Sequence, residues 1–135
     1  MDLSLTIKQF RRLLDLVFIG NWVINSTRGD DRIVEFDDVE SLLFGKCGEV
    51  GMDTLTELLD GCAVPSRAFA EGGIREVVNE YEDTVFFEIL AEELARRDVI
   101  NDGGAEDDED QIGERMNVYI AEFEQNGTDN IVLDV

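Results

Sequence analysis

Apolar residues recur at three- and four-residue steps through several stretches of the chain, the spacing that lines one face of a helix. From Thr6 to about Thr27 the row is Ile7, Phe10, Leu14, Val17, Asn21 and Ile24, widened by Leu13, Phe18 and Val23. Thr6 and Gln9 have the spacing of a capping box, in which each side chain satisfies a free backbone donor of the first turn. A helix this apolar is expected to be central. Asp15 lies within the run and should reach solvent or pair with Arg11 or Arg12.

Gly29-Asp30 interrupts the pattern. A second helix is predicted from Asp31 to Val50, with Phe36, Val39, Leu43, Cys47 and Val50 in one stripe and Gly51 as a left-handed cap. Arg32–Phe36 could instead extend, since Ile33, Val34 and Phe36 favour strands. Thr54 and Glu57 form a second capping-box pattern, which predicts a short helix ending near Asp60. Residues Cys62–Gly73 hold the sole proline, Pro65, and a Gly72-Gly73 pair, and read as an irregular connection with one turn around Ser66–Ala70. The longest helix is predicted from Ile74 to Arg97, with Val78, Tyr81, Val85, Ile89 and Leu90 inward. Glu71–Arg75, Glu92–Arg96 and Glu93–Arg97 are spaced for i,i+4 ion pairs. A last helix spans Ile112–Gln125, presents Met116, Tyr119, Ile120 and Phe123, and stops at Asn126-Gly127. Ile131–Val135 reads as a short strand or an extended tail that docks. The expected fold is therefore all-α: a single-domain helical bundle of about four to five helices over residues 1–135, with either a short strand or an extended tail at the C-terminus. An acidic flexible linker is expected near residues 101–111, where Glu106–Asp110 are five consecutive acids that repel one another.

Charge narrows the functions. The net charge is −21; residues 1–28 sum to +2, from Lys8, Arg11, Arg12 and Arg28 against Asp2 and Asp15, so the rest carries −23. Phosphate backbones and anionic lipids would be repelled by that remainder, which argues against direct nucleic-acid or membrane binding. A basic protein partner or a second copy remains open. The most apolar window, Leu13–Ile24, is shorter than the ~18 residues of a membrane span. The first residues lack the basic head of a secretory signal, and Cys47 and Cys62 are too few for a disulfide framework, so a reducing cytoplasm is expected.

Five segments carry a resemblance: Ile19–Asn25, Asp31–Phe36, Tyr81–Phe87, Leu94–Asp98 and Glu122–Gly127. Together they resemble a family of short, acidic, helical bacterial proteins with no assigned activity. The resemblance implies a helical fold and a bacterial source, and supplies no chemistry. Gly103–Gly113 is shorter and more acidic than that pattern.

The absence of histidine removes the commonest general base and the Ser/His and Cys/His triads. Cys47 is placed in the core and Cys62 in a loop. Carboxylates are the abundant chemical material. Asp37/Glu40 and Glu57/Asp60 have the i,i+3 spacing with which helical nucleoside-triphosphate pyrophosphatases hold magnesium against phosphates. Composition alone yields about seven such pairs by chance, and the chain has six. No register of Asp102–Glu114 fits an EF-hand loop, and Gly45-Lys46 lacks the rest of a phosphate loop. Trp22, Asn25 and Arg28 form a neutral-to-basic group that could grip a partner's carboxylate, or serve the core and helix ends. The sequence favours a non-catalytic binding or regulatory module with no cofactor. A magnesium-dependent hydrolase using Asp37, Glu40, Glu57 and Asp60, and an acidic nucleic-acid mimic occupying a basic cleft, are the alternatives.

Overall fold

In the computed structural model, which describes residues 1–135, helix α1 spans Ile7–Asn25 and α2 spans Val34–Phe44. Two 3-10 turns, Cys47–Val50 and Asp53–Leu55, lead to strands β1 (Thr56–Leu59) and β2 (Cys62–Pro65). The short α3 (Arg67–Ala70), the long α4 (Gly73–Asn101) and α5 (Glu109–Asn126) complete the chain. The fold is mostly helical with one small antiparallel sheet. The chain divides into two compact units, Met1–Val78 and Asn79–Val135. No helix is long and apolar enough to cross a membrane.

The Thr6 capping box forms as expected, with the Gln9 amide donating to Thr6 Oγ1 at 3.2 Å and Gln9 Oε1 accepting from the Thr6 amide at 2.9 Å. The second helix is shorter than predicted. Ile33 is extended, the α-helix ends at Phe44, and Cys47–Val50 continues only as a 3-10 turn. Gly51 then adopts the left-handed φ of 72° expected of it.

The helix predicted over Thr54–Asp60 is instead a hairpin. Thr56 pairs with Pro65, and Leu59 with Cys62. The connection is Asp60-Gly61, with φ of 52° and 80°. Positive φ at both central residues is the geometry of a tight hairpin turn whose twist matches that of its strands, and Asp-Gly is a favoured sequence for it. That turn, with Pro65 confined to a strand end, outweighs the capping-box pattern at Thr54. Of the two forms expected for Ile131–Val135, the strand does not form and the segment is irregular and exposed throughout rather than docked. The acidic connection is partly ordered by α5, since Asp108 caps that helix and Glu109 and Asp110 lie in its first turn.

In the first unit, Phe10, Leu14, Phe18, Phe44, Cys47, Phe69 and Ile74 form the core. Phe69 is its hinge point, meeting Phe18 edge-on at 5.4 Å and Phe44 at 5.1 Å between centroids. Arg11 lies 4.9 Å from the same ring while pairing with Asp15, so the buried carboxylate found by sequence is neutralised by Arg11 and Arg12. The α2 register differs from the predicted stripe. Phe44 is fully buried, whereas Phe36 and Val39 are exposed.

Of the row predicted to face inward on α4, Val78 is buried and Val85 and Leu90 are half-buried, but Tyr81 and Ile89 are exposed. In the second unit the buried α4 residues are Ala91, Ala95 and Val99, and Ala95 and Val99 pack with Ile112, Met116 and Tyr119. Phe87 and Tyr119 flank Phe123 at 5.4 Å and 6.1 Å. At the end of α4, Gly103 (φ 84°) donates to the Ile100 carbonyl and Gly104 to the Val99 carbonyl, the paired bonds of a Schellman cap. Of the three predicted ion pairs only Glu92–Arg96 forms; Arg97 turns to Asp98, and Glu71 pairs with Arg67.

Phe44→Ala should lower the unfolding free energy by about 3–5 kcal/mol, the usual cost of deleting a fully buried aromatic side chain; denaturant titration measures it. Gly104→Ala should destabilise the second unit, because a Cβ there would stand 2.6 Å from Val99 Cγ1 and 3.0 Å from its carbonyl oxygen. Amide exchange across α4 and α5 reads that effect.

Candidate functional site

The junction between α1 and α2 is built by asparagines. Asn25, only 1% exposed, treats Ile33 as a neighbouring strand would. Its Oδ1 accepts from the Ile33 amide at 2.8 Å, and its Nδ2 donates to the Ile33 carbonyl at 3.0 Å. The same Nδ2 donates to Asn21 Oδ1 at 2.8 Å, and Asn21 Nδ2 donates to Asp37 Oδ1 at 2.9 Å. No side chain caps the start of α2 at Ile33, so Asn25 holds that residue from outside the helix.

Asp37 is the next link. Arg32 donates to both its oxygens, through Nε and a terminal nitrogen, each at 2.6 Å. The guanidinium holds the Asp37 carboxyl below its ordinary pKa, and Asn21 adds to that against the opposing effect of burial. One turn along α2, Glu40 is half-buried and shifts the other way. Burial raises its pKa most, a side-chain hydrogen bond from Asn21 opposes that rise, the neighbouring Asp37 charge adds to it and the Arg32 charge lowers it slightly. No arginine or lysine lies within ion-pairing distance of Glu40.

Glu40 and Arg32 stand where two open hollows meet. The larger, about 600 Å³, runs between α2 and the hairpin and is walled by Leu42, Leu59 and Val64 with Cys62 at its margin. The smaller, about 350 Å³, is lined by Phe18, Asn21, Trp22 and Ser26 from α1. The cleft thus offers an apolar wall, an aromatic wall and a carboxylate between them. Such a site can bind a cation carried on an apolar body.

The residues singled out by sequence are distributed differently. Trp22 is half-buried beneath Arg75, whose guanidinium carbon lies 4.4 Å from the ring centroid. Asn25 is turned inward to Ile33, and Arg28 bonds to the Ile24 carbonyl and pairs with Asp31 at 3.0 Å. Asp37 and Glu40 come together in the cleft. Glu57 lies on β1 and Asp60 in the hairpin turn, both exposed, and neither lines the cleft. The i,i+3 spacing brings carboxylates onto one face only in a helix, so the second acidic pair is not assembled there. No group of three or more acidic or cysteine side chains has metal-holding geometry. Sequence reading missed Arg32 as the Asp37 partner, and missed Leu59 and Val64 because the hairpin was not expected; Asp60-Gly61 was the available signal.

Burial raises the pKa of the Cys47 thiol, which disfavours its reactive thiolate, while Cys62 is exposed at the cleft margin.

Asn25→Ala should cost about 2–3 kcal/mol, since it strips partners from two backbone groups of Ile33; thermal or chemical unfolding measures this. Glu40 and Asp37 should respond to pH with opposite signs. A carboxyl whose pKa is raised by folding opposes folding once ionised, so Glu40→Gln should stabilise the protein at neutral pH. That gain should shrink as pH falls through the raised Glu40 value, above 4.5. Asp37, lowered from 3.8, stabilises above that value, so Asp37→Asn should destabilise at neutral pH, with the deficit fading only in stronger acid. Denaturant midpoints across this range test both signs. No protein-family model, curated protein or solved structure matches the chain.

Proposed function

We propose that this chain is a non-catalytic binding module for a basic protein partner, working in a reducing cytoplasm. The observation that carries this reading is the amount of apolar surface left uncovered beside acids. On the first unit, Leu42, Leu58 and Leu59 are 64%, 76% and 62% exposed, and Phe36 and Val39 are exposed with them. Glu35, Asp38, Glu57 and Asp60 alternate with these residues in sequence. Apolar surface of this kind, edged by charge, is typical of interaction sites. The net charge of −21 gives such a surface a preference for basic partners and disfavours nucleic acid.

Asp37 supports the same reading. Its carboxylate is committed to Arg32 and Asn21, so engaging a metal would require breaking that arrangement. A helical bundle closing around magnesium would require the acids of Asp37, Glu40, Glu57 and Asp60 to converge, and Glu57 and Asp60 are on the hairpin.

Two measurements decide the matter. Tagged protein should capture a defined basic protein that Leu42→Asp and Leu59→Asp fail to capture, with rising salt weakening the complex. Nucleoside-triphosphate turnover by the magnesium- or manganese-supplemented protein, lost in Asp37→Asn, would overturn the proposal. Light scattering over a concentration series separates partner capture from self-association, for which the two like charges are unfavourable.

A further inference from the structure

Eight basic side chains lie in the first unit, and the fold uses nearly all of them internally. Arg11 and Arg12 pair with Asp15, Arg28 with Asp31, Arg32 with Asp37, Lys46 with Glu49 and Arg67 with Glu71. Arg75 lies over Trp22. Lys8 is exposed in the first turn of α1. Glu40, half-buried between two hollows, is left without a cation of its own. Taking a carboxylate out of water is costly unless a counter-charge compensates it.

We infer that the Glu40 cleft is the docking point for an arginine or lysine of the partner protein, flanked by aliphatic residues that rest on Leu42, Leu59 and Val64. The inference rests on the binding-module reading and names its contact. Charge complementarity selects this occupant. A second copy would bring another −21, and an anionic ligand would meet Asp38 and Glu40 at the cleft wall, where the one cation, Arg32, is already held by Asp37. The neighbouring Arg32–Asp37 pair is an internal example of the expected contact, a guanidinium held by an α2 carboxylate through two 2.6 Å bonds. The Glu40 carboxylate is the first-choice acceptor because no salt bridge engages it and it is partly screened from solvent. The apolar walls add contact area and set which flanking residues fit.

The test uses the full chain, labelled with ¹⁵N, and two acetylated, amidated hexapeptides. One alternates leucine and arginine; the other replaces arginine by citrulline, which keeps the shape and removes the charge. The arginine peptide should shift the amides of Glu40, Ser41, Leu42 and Val64. The citrulline peptide should bind about tenfold more weakly or worse, the scale of a charge-assisted hydrogen bond. Glu40→Gln should reduce the arginine peptide to the citrulline level. That variant removes an unpaired, half-buried charge and should fold, which its own spectrum verifies; Leu59→Ala, on an exposed position of β1, gives a second variant that should weaken both peptides alike. Equal affinity of Glu40→Gln and the parent chain would overturn the inference. So would shifts centred on Tyr81 and Ile89 of α4, although these would leave the binding-module reading intact. Absence of any shift at millimolar arginine peptide also overturns the cleft assignment, whereas the wider reading is decided by the capture and turnover measurements above.

Discussion

Two hydrogen bonds between the Asn25 side chain and the backbone of Ile33 fix where the second helix begins, and the cleft follows from that placement. An amide side chain offers a donor and an acceptor in one plane, which is what a lone extended residue needs when it has no strand beside it. Because Asn25 is almost fully buried, few other conformations could satisfy its polar atoms. Asn21 extends the same network to Asp37, and Asp37 recruits Arg32. A single turn of α1 therefore determines the start of α2, holds Asp37 on it and, through Asp37, places Arg32 in an ion pair that does not include Glu40. The polar chain is fully satisfied: no buried side-chain nitrogen or oxygen lacks a partner.

The aromatic cluster around Phe69 does a different job. It joins α1, α2 and the short α3 through edge contacts, and α3 is in turn tied to the hairpin base. Ser66 accepts from the Phe69 amide and donates to the Thr54 carbonyl at 2.7 Å, so the α3 cap and the 3-10 turn that leads into the hairpin share one hydroxyl. Core packing thereby sets the position of Leu59 and Val64 opposite Leu42. Apolar packing shapes the cleft, and the asparagine network sets its charge.

Local signals carried much of this fold into the sequence. The Thr6–Gln9 box, the Asn126-Gly127 stop and the left-handed Gly51 depend on a few adjacent residues, and they survive in the structure. The hairpin was obscured because Thr54 and Glu57 satisfy a helix-start pattern while Asp60-Gly61 satisfies a turn pattern; the contest is settled by pairing with residues further along. The inward face of α4 was misread for another reason. Periodicity weighs large side chains, yet Ala91 and Ala95 are fully buried, Ala95 against α5, while Tyr81 and Ile89 remain outside. Asp37 and Glu40 were visible as a pair. Their divergence, one carboxyl pinned by Arg32 and the other without a salt bridge, depends on a bond from α1 that spacing along α2 could not disclose.

The exposed leucines of the hairpin have a consequence for the protein as a material. With its many acids ionised, each molecule repels every other, and this long-range repulsion keeps Leu58, Leu59 and the bare C-terminal residues Val132 and Leu133 of separate molecules from meeting. Acidification toward the isoelectric point of about 4.1 removes that barrier without covering any of those side chains. Colloidal stability is thus supplied by the same carboxylates that colour the surface, and a buffer near the isoelectric point turns the uncovered leucines into points of cohesion.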